Sequence, residues 1–321
     1  MRQFTTSQRD SAIRRGLAFI YNTACKPENF QSFGSDYLCC FDCISATARD
    51  PELRRLARTL GRERARQWRR ECSAVPPDAN ADDIADLVFG SDAADRLGVR
   101  DEAFKQQLRK VAGDFNSRDF LFFDPASEPP PTDVPEECDC GAHNPRGRKT
   151  CRRCQKKLVM NSAYWVWFVA LTRSYTGQRH GIRLGTSFAE VLRWLPAMRP
   201  YPRPARNGDG WDFYWAIYAV THVVYTLNDF SSYRLSPAWL PDEYAFLKGN
   251  LGEAIKLADP EAMGEFLDSL KSFGLADNHP LMRKGLNYLL SCQNEDGSWG
   301  DPDADDIYER YHPTWTAIDG L

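Results

Sequence analysis

Apolar residues recur along this chain at intervals of three and four. In "RDSAIRRGLAFIYNTA" Ile13, Leu17 and Ile20 share one face. In "PELRRLARTLGRERARQWRR" Leu53, Leu56 and Leu60 do the same, with charge opposite. Both spacings predict amphipathic helices packed on a core. Pro51 and Pro260 each follow an aspartate, in "DPEL" and "DPEA", the order expected when Asp caps a helix and proline opens its first turn. Strand patterns are scarce, so the chain reads as all-α. Residues 125–137, "PASEPPPTDVPEE", cannot sustain a helix and read as an extended linker into a small separate module. Helical patterning resumes near Met160.

Composition narrows this picture. A chain of 321 residues with 42% hydrophobic content can bury the core of one large domain or two ordinary ones. A net charge of −3 offers no global attraction to nucleic acid or anionic membrane. The N-terminus lacks the uninterrupted apolar region of a secretory signal, and the longest apolar stretch, "YWVWFVAL", is too short to span a bilayer. Of ten cysteines, four stand at metal spacing and the rest are scattered or adjacent, which points to reduced thiols and a soluble, cytoplasmic protein. The chain ends at Leu321 inside a helical pattern, as a trimmed or unusually short chain would.

The two ends echo one another. "AIRRGLAFIYNTACKPENFQSFGSDYLCC" and "LMRKGLNYLLSCQNEDGSWG…YHPTWTAIDGL" each give a helix with a basic residue, Gly and Leu in sequence, then a glycine-containing loop and a second apolar helix. Repeated hairpins of this kind bury their faces by stacking or closing a ring. "QNEDGSWG" resembles the Gln-x-x-Asp-Gly-Ser/Gly-Trp-Gly repeat of the terpenoid cyclase and protein prenyltransferase superfamily, and "TWTAIDGL" is similar to the inner helix that follows it. The likeness covers roughly the last 40 residues strongly and the first 50 weakly. It implies an (α/α) toroid, a barrel of helical hairpins around a central cavity, formed by residues 1–124 and 159–321. Within the repeat, Asp296-Gly297 makes the turn, Trp299 packs, and Gln293 caps neighbouring backbone groups.

Residues 138–158 carry the strongest metal signal. Cys138, Cys140, Cys151 and Cys154 form C-x-C-x10-C-x2-C, two short knuckles able to bring four thiolates to one tetrahedral ion. The module resembles a zinc ribbon with its first knuckle one residue short, which leaves open whether His143 replaces a thiolate. Four protein ligands make such a zinc structural. Seven Arg and Lys residues between Arg146 and Lys157 could hold nucleic acid or an acidic protein. A solvated surface neutralised by the acidic linker is favoured, because the module lacks aromatic residues for base stacking.

Candidate chemistry lies in the helical body. Asp303-Ala304-Asp305-Asp306 spells the D-x-D-D of class II terpene cyclases and nominates Asp305 as a general acid. Aligned on "TWTAIDGL", however, the family's position falls at Arg310–Pro313, so a solvated acidic loop is the favoured reading. The resemblance instead points His312, at the start of the inner helix, into the cavity. His222 lies in another apolar aromatic helix, and the N-terminal echo puts Asp36 close to the slot of His312. Asp36, His222 and His312 would together suit catalytic iron or zinc with open positions for substrate. Cys40, Cys43 or Cys292 could supply a thiolate in place of Asp36, and Asp229 and Glu309 are further acids near the histidines. The aromatics from Trp165 to Tyr225 either line an apolar pocket or form plain core, the latter favoured.

Two functional expectations follow. The first is a metal-dependent enzyme acting on an apolar or isoprenoid-like small molecule. The second is a non-catalytic repeat scaffold whose basic ribbon docks a protein or nucleic-acid partner.

Overall fold

The computed structural model describes residues 5–204 and 210–321. Regular structure among them is helical: α1 (Thr6–Ala24), α2 (Pro27–Thr47), α3 (Pro51–Glu71), α4 (Ala81–Arg96), α5 (Glu102–Ala112), α6 (Ser117–Leu121), α7 (Ala163–His180), α8 (Phe188–Leu192), a 3-10 turn (Leu195–Met198), α9 (Trp211–Leu227), α10 (Pro241–Lys256), α11 (Pro260–Ser272), α12 (Pro280–Ser291) and α13 (Tyr308–Gly320). The fold is all-α. No helix among the described residues is long and apolar enough to cross a membrane. The chain divides into two compact units. Unit 1 takes the chain through Ala74, Phe89–Lys105 and Val224–Leu321; unit 2 takes Val75–Val88 and Gln106–Val223.

Helix starts follow local chemistry. Asp50 caps α3 by accepting from the Glu52 N–H, and Asp259 caps α11 by accepting from those of Glu261 and Ala262; proline follows each. In unit 1, α13 packs against α11, α1 and α2. Glycine allows the closest of these approaches. A Cβ on Gly264 of α11 would strike the Thr316 carbonyl of α13, and one on Gly16 of α1 would lie 2.9 Å from the Trp299 ring.

The buried stripe of α3 is Leu53, Ala57, Gly61, Ala65 and Trp68. Leu56, expected on the core face, is 38% exposed. Small residues displaced the leucines because α2 lies close: a Cβ on Gly61 would meet Phe41 Cβ at 2.6 Å.

The repeat loop builds the junction between α12, α13 and α1. Gln293 Nε2 donates to Ala12 O and to Gly297 O, both at 2.9 Å. Trp299 is fully buried; its indole N–H donates to Leu289 O and its backbone N–H to Thr314 Oγ1, both at 2.8 Å. Asp296 accepts from the Ser298 N–H at 3.0 Å and hydroxyl at 2.7 Å, and it pairs with Arg310. Gly297 turns the chain at φ 93°, a conformation that a side chain would strain.

In unit 2, α7 and α9 bring together a wall of rings. Phe168 stacks on Trp215 at 5.9 Å, and Trp165, Tyr214 and Tyr218 make further ring contacts. Trp167 is fully buried, whereas Trp211 is 47% exposed.

Candidate metal centres

The cysteine module forms part of unit 2. Antiparallel bridges pair Pro135 with Met160 and Thr150 with Lys157. Between them, Gly141 and Gly147 adopt φ of 71° and 81° and Gln155 a φ of 59°, letting the two knuckles fold back. Buried Asn144 ties the knuckles together: its amide donates to Ala142 O at 2.7 Å and its carbonyl accepts from the Arg152 N–H at 2.9 Å. A small core of Cys138, Ala142, Cys151 and Leu158 closes beneath.

Cys138, Cys140, Cys151 and Cys154 converge as one group of potential metal ligands. Their sulfurs lie 3.4 Å apart for Cys138 and Cys154, and 3.5 Å for Cys138–Cys140 and Cys140–Cys151. Thiolates around a tetrahedral zinc with bonds of about 2.3 Å would stand roughly 3.8 Å apart, so the residues fit such an ion. None of the four is in a disulfide. Backbone N–H groups of Cys154 and Arg153 hold the Cys151 thiol well below its ordinary range, to about 5, which favours the thiolate that metals bind. His143 is exposed and is not a member of the group. Around the module, Arg146 pairs with Asp133 at 2.5 Å and Glu128 at 2.9 Å, and Lys156 with Asp139 at 3.2 Å.

A second group lies in unit 1. Glu261, Glu265 and His312 place one ligand atom each within 4.8 Å of one another. Glu261 and Glu265 are one turn apart on α11 and therefore share a face; Glu265 is 2% exposed. His312 comes from the second turn of α13, where it stacks on Tyr308 at 4.7 Å and meets Trp315 edge-on at 5.4 Å. Its Nε2 faces Glu261 Oε1 at 3.7 Å and its Nδ1 faces Asp36 Oδ2 at 3.5 Å. That Nδ1 is buried without a hydrogen-bond partner. Burial alone would lower the affinity of the His312 ring for a proton, but Glu261, Asp36 and Glu265 outweigh it and lift its pKa to about 9.

Asp36 follows a break in α2 at Phe33, where φ is −130°. Its Oδ2 accepts from the Tyr311 hydroxyl at 2.8 Å. Burial, then the neighbouring Asp36 carboxylate, pushes the Tyr311 phenol far above its ordinary range, so the phenol acts as a donor to that carboxylate.

The remaining sequence candidates are distributed elsewhere. His222 belongs to unit 2, where its Nδ1 is 2.8 Å from Tyr218 O and its ring lies 4.8 Å from that of Phe168. It joins no group of three potential ligands among the described residues. Asp305 is exposed in the loop before α13, while Asp306 accepts from the Tyr308 N–H at 2.9 Å. Glu309 is exposed, and Asp229 pairs with Arg96 at 3.7 Å. Burial raises the Cys40 thiol well above its ordinary range and lifts that of Cys292 to about 11, which disfavours both as thiolates.

Sequence reasoning missed Glu261 and Glu265. The available signal was slight: in "AMGEFLDSL" a glutamate stands among apolar residues, at a spacing from Glu261 that suits an exposed helix face equally well. Compared with family models, curated proteins and solved structures, the chain matches none.

Proposed function

We propose that this chain is a metal-dependent enzyme whose catalytic ion, zinc or iron, is held in unit 1 by Glu261, Glu265 and His312, with a structural zinc at the four cysteines of unit 2. The observation that carries the reading is the convergence of two carboxylates and an imidazole from α11 and α13. Three ligands of this kind suit a divalent ion with positions open to substrate, whereas the four cysteines would close their ion completely. Bound there, such an ion would supply Lewis acidity toward a substrate oxygen or water.

The chain's own residues divide the remaining work. Glu261 and Glu265 provide oxygen donors from a helix fixed against α13 by Gly264. His312 directs Nε2 toward Glu261 and Nδ1 toward Asp36, so Asp36 acts as a positioning residue that selects the ring's tautomer and orientation. Tyr311 holds Asp36 in turn. This ligand set replaces the triad of Asp36, His222 and His312 with one drawn entirely from unit 1. Asp305 has no part in it. The "QNEDGSWG" repeat supports the (α/α) toroid and an apolar, isoprenoid-like substrate as parts of the same reading.

Cobalt(II) substitution tests the assignment. A thiolate site and an oxygen/nitrogen site differ in spectrum, since only the former gives strong sulfur-to-metal charge transfer. The account expects both signatures in the wild-type chain and loss of the oxygen/nitrogen signature alone in His312→Ala. A spectrum from the thiolate site only, in the wild-type chain, contradicts it.

A further inference from the structure

The residue that stacks on His312 carries a hydroxyl with no hydrogen-bond partner among the described residues. That residue is Tyr308, the first of α13. Asp306, from the acidic run before the helix, accepts from the Tyr308 N–H at 2.9 Å, a side-chain turn that ties down the helix start. His312 follows four residues later and shares the same face. The two ring centroids lie 4.7 Å apart, with the planes inclined by 22°. Phe33, at the break in α2, and Tyr311 meet the Tyr308 ring at 6.1 and 5.6 Å. Three rings therefore fix it by packing.

The two tyrosines of this turn differ in what their hydroxyls do. Tyr311 donates to Asp36 Oδ2 at 2.8 Å and is committed to that carboxylate. Tyr308 is half-buried and its hydroxyl donates to none of the described residues. A tyrosine phenol is protonated at neutral pH in any case, and here burial, then the carboxylates of Glu261, Asp36 and Glu265, raise it well above its ordinary range. The group is thus a standing donor. The strongest of those three carboxylates is Glu261, the acid that faces His312 Nε2 at 3.7 Å, as expected for a phenol on the ligand side of the imidazole. The cluster is reached by solvent, since the side chains of His312 and Asp36 are 17% and 33% exposed.

An ion bound to an imidazole nitrogen lies in the plane of that ring. Tyr308 lies over the plane, so it stands beside the ligand group and outside it. We propose that the Tyr308 hydroxyl donates a hydrogen bond to the oxygen atom that takes the ion's open position, and so favours substrates that coordinate through an oxygen able to accept one, such as a carboxylate, carbonyl or alcohol. This rests on the reading of Glu261, Glu265 and His312 as metal ligands and adds a specificity-determining residue to it. A donor held by packed rings needs no reorganisation as charge builds on the oxygen it faces.

Cobalt(II) at the oxygen/nitrogen site of the full chain tests it, with acetate and thiocyanate as probes read from the visible spectrum. The ligating oxygens of acetate accept hydrogen bonds, whereas thiocyanate bound through nitrogen offers no such acceptor at the ion. The four cysteines leave no open position for either probe. Tyr308→Phe keeps the stacked ring and removes only the hydroxyl. It is expected to retain cobalt and bind thiocyanate as the wild type does, and to bind acetate about five- to tenfold more weakly, the scale of one hydrogen bond. Equal acetate binding by the two chains with cobalt in place overturns the inference and leaves the metal reading standing. So does an equal weakening of both probes, which marks the tyrosine as structural, or a wild-type cobalt spectrum that acetate leaves unchanged. Absence of the oxygen/nitrogen cobalt signature from the wild-type chain overturns the metal reading and this inference with it.

Discussion

Asp36 Oδ2 stands 3.5 Å from His312 Nδ1, joining the second helix of the chain to its last. The Tyr311 hydroxyl, on the residue before that histidine, reaches the same carboxylate oxygen at 2.8 Å. The carboxylate is therefore held from α13 while it faces the imidazole. Carboxylate partners of ligand histidines orient the ring and raise its basicity.

A positioning role for Asp36 gives the first expectation. Asp36→Asn should weaken metal retention in unit 1 by about 10- to 100-fold, measured by competition with a chelator, while the cysteine site keeps its affinity. Tyr311→Phe should show a smaller loss of the same kind. Unchanged retention in Asp36→Asn would contradict the role.

The cysteine module should depend on its ion for order. Cys151→Ser removes a ligand that lies 3.5 Å from Cys140, and the small core of Cys138, Ala142 and Leu158 offers little apolar burial to replace it. The variant should release one metal per chain and become sensitive to protease between residues 138 and 158. Protease resistance equal to wild type after metal loss would show that the module folds without an ion.

Arg69 is a buried cation in unit 1, 9% exposed, bonded to Ser91 Oγ and O at 3.1 Å, Asp95 at 2.9 Å and Val99 O at 3.2 Å. Arg69→Met removes the guanidinium from these acceptors and leaves Asp95 facing Lys105 at 3.9 Å, so a loss of about 3 kcal/mol is expected from urea unfolding. A loss under about 1 kcal/mol, the scale of an exposed pair, would mean that Arg69 is solvated.

Acid stability has a defined contributor in unit 2. Glu190 accepts from the Thr186 hydroxyl at 2.5 Å, the Ser187 N–H at 3.1 Å and the Ser187 hydroxyl at 3.0 Å, and these bonds, Thr186 first, depress its carboxyl to about 2. The unfolded chain then binds more protons than the folded one between about 2 and the ordinary value of 4.5. Stability from this group is complete above 4.5 and is lost as pH falls toward 2. Glu190→Gln should flatten that part of the acid limb in urea titrations at successive pH values; an unaltered slope would exclude the group.

Legibility in the sequence varied with how local the determining interaction was. The caps at Asp50 and Asp259 depend on neighbours two and three residues away, and both were readable. The tryptophan, turn and glutamine of the repeat loop carry a dense local motif and could be assigned individually. The Asp36–His312 approach, 3.5 Å between the second helix and the last, is long-range, and the echo between the chain ends was the one pointer to it in the sequence. The acidic pair on α11 had no such echo. Glu261 and Glu265 occupy spacing that also suits an exposed helix face, and their direction is fixed by Gly264 meeting the Thr316 backbone, a contact without a sequence period. The α3 stripe misled for a related reason: large apolar residues mark a core face only where helices pack at ordinary distance, and Ala57 and Gly61 permit a closer one.

The central claim is a second metal site, built from Glu261, Glu265 and His312. Metal content per chain after zinc or iron loading and removal of loosely bound ions tests it most directly, in the wild type, Glu265→Gln, His312→Ala, His222→Ala and Cys151→Ser. The account predicts two ions in the wild type and in His222→Ala, and one in each of the other three, with the cysteine-bound ion retained in Glu265→Gln and His312→Ala. One ion in the wild type, unchanged by Glu265→Gln and His312→Ala and lost in Cys151→Ser, would contradict it.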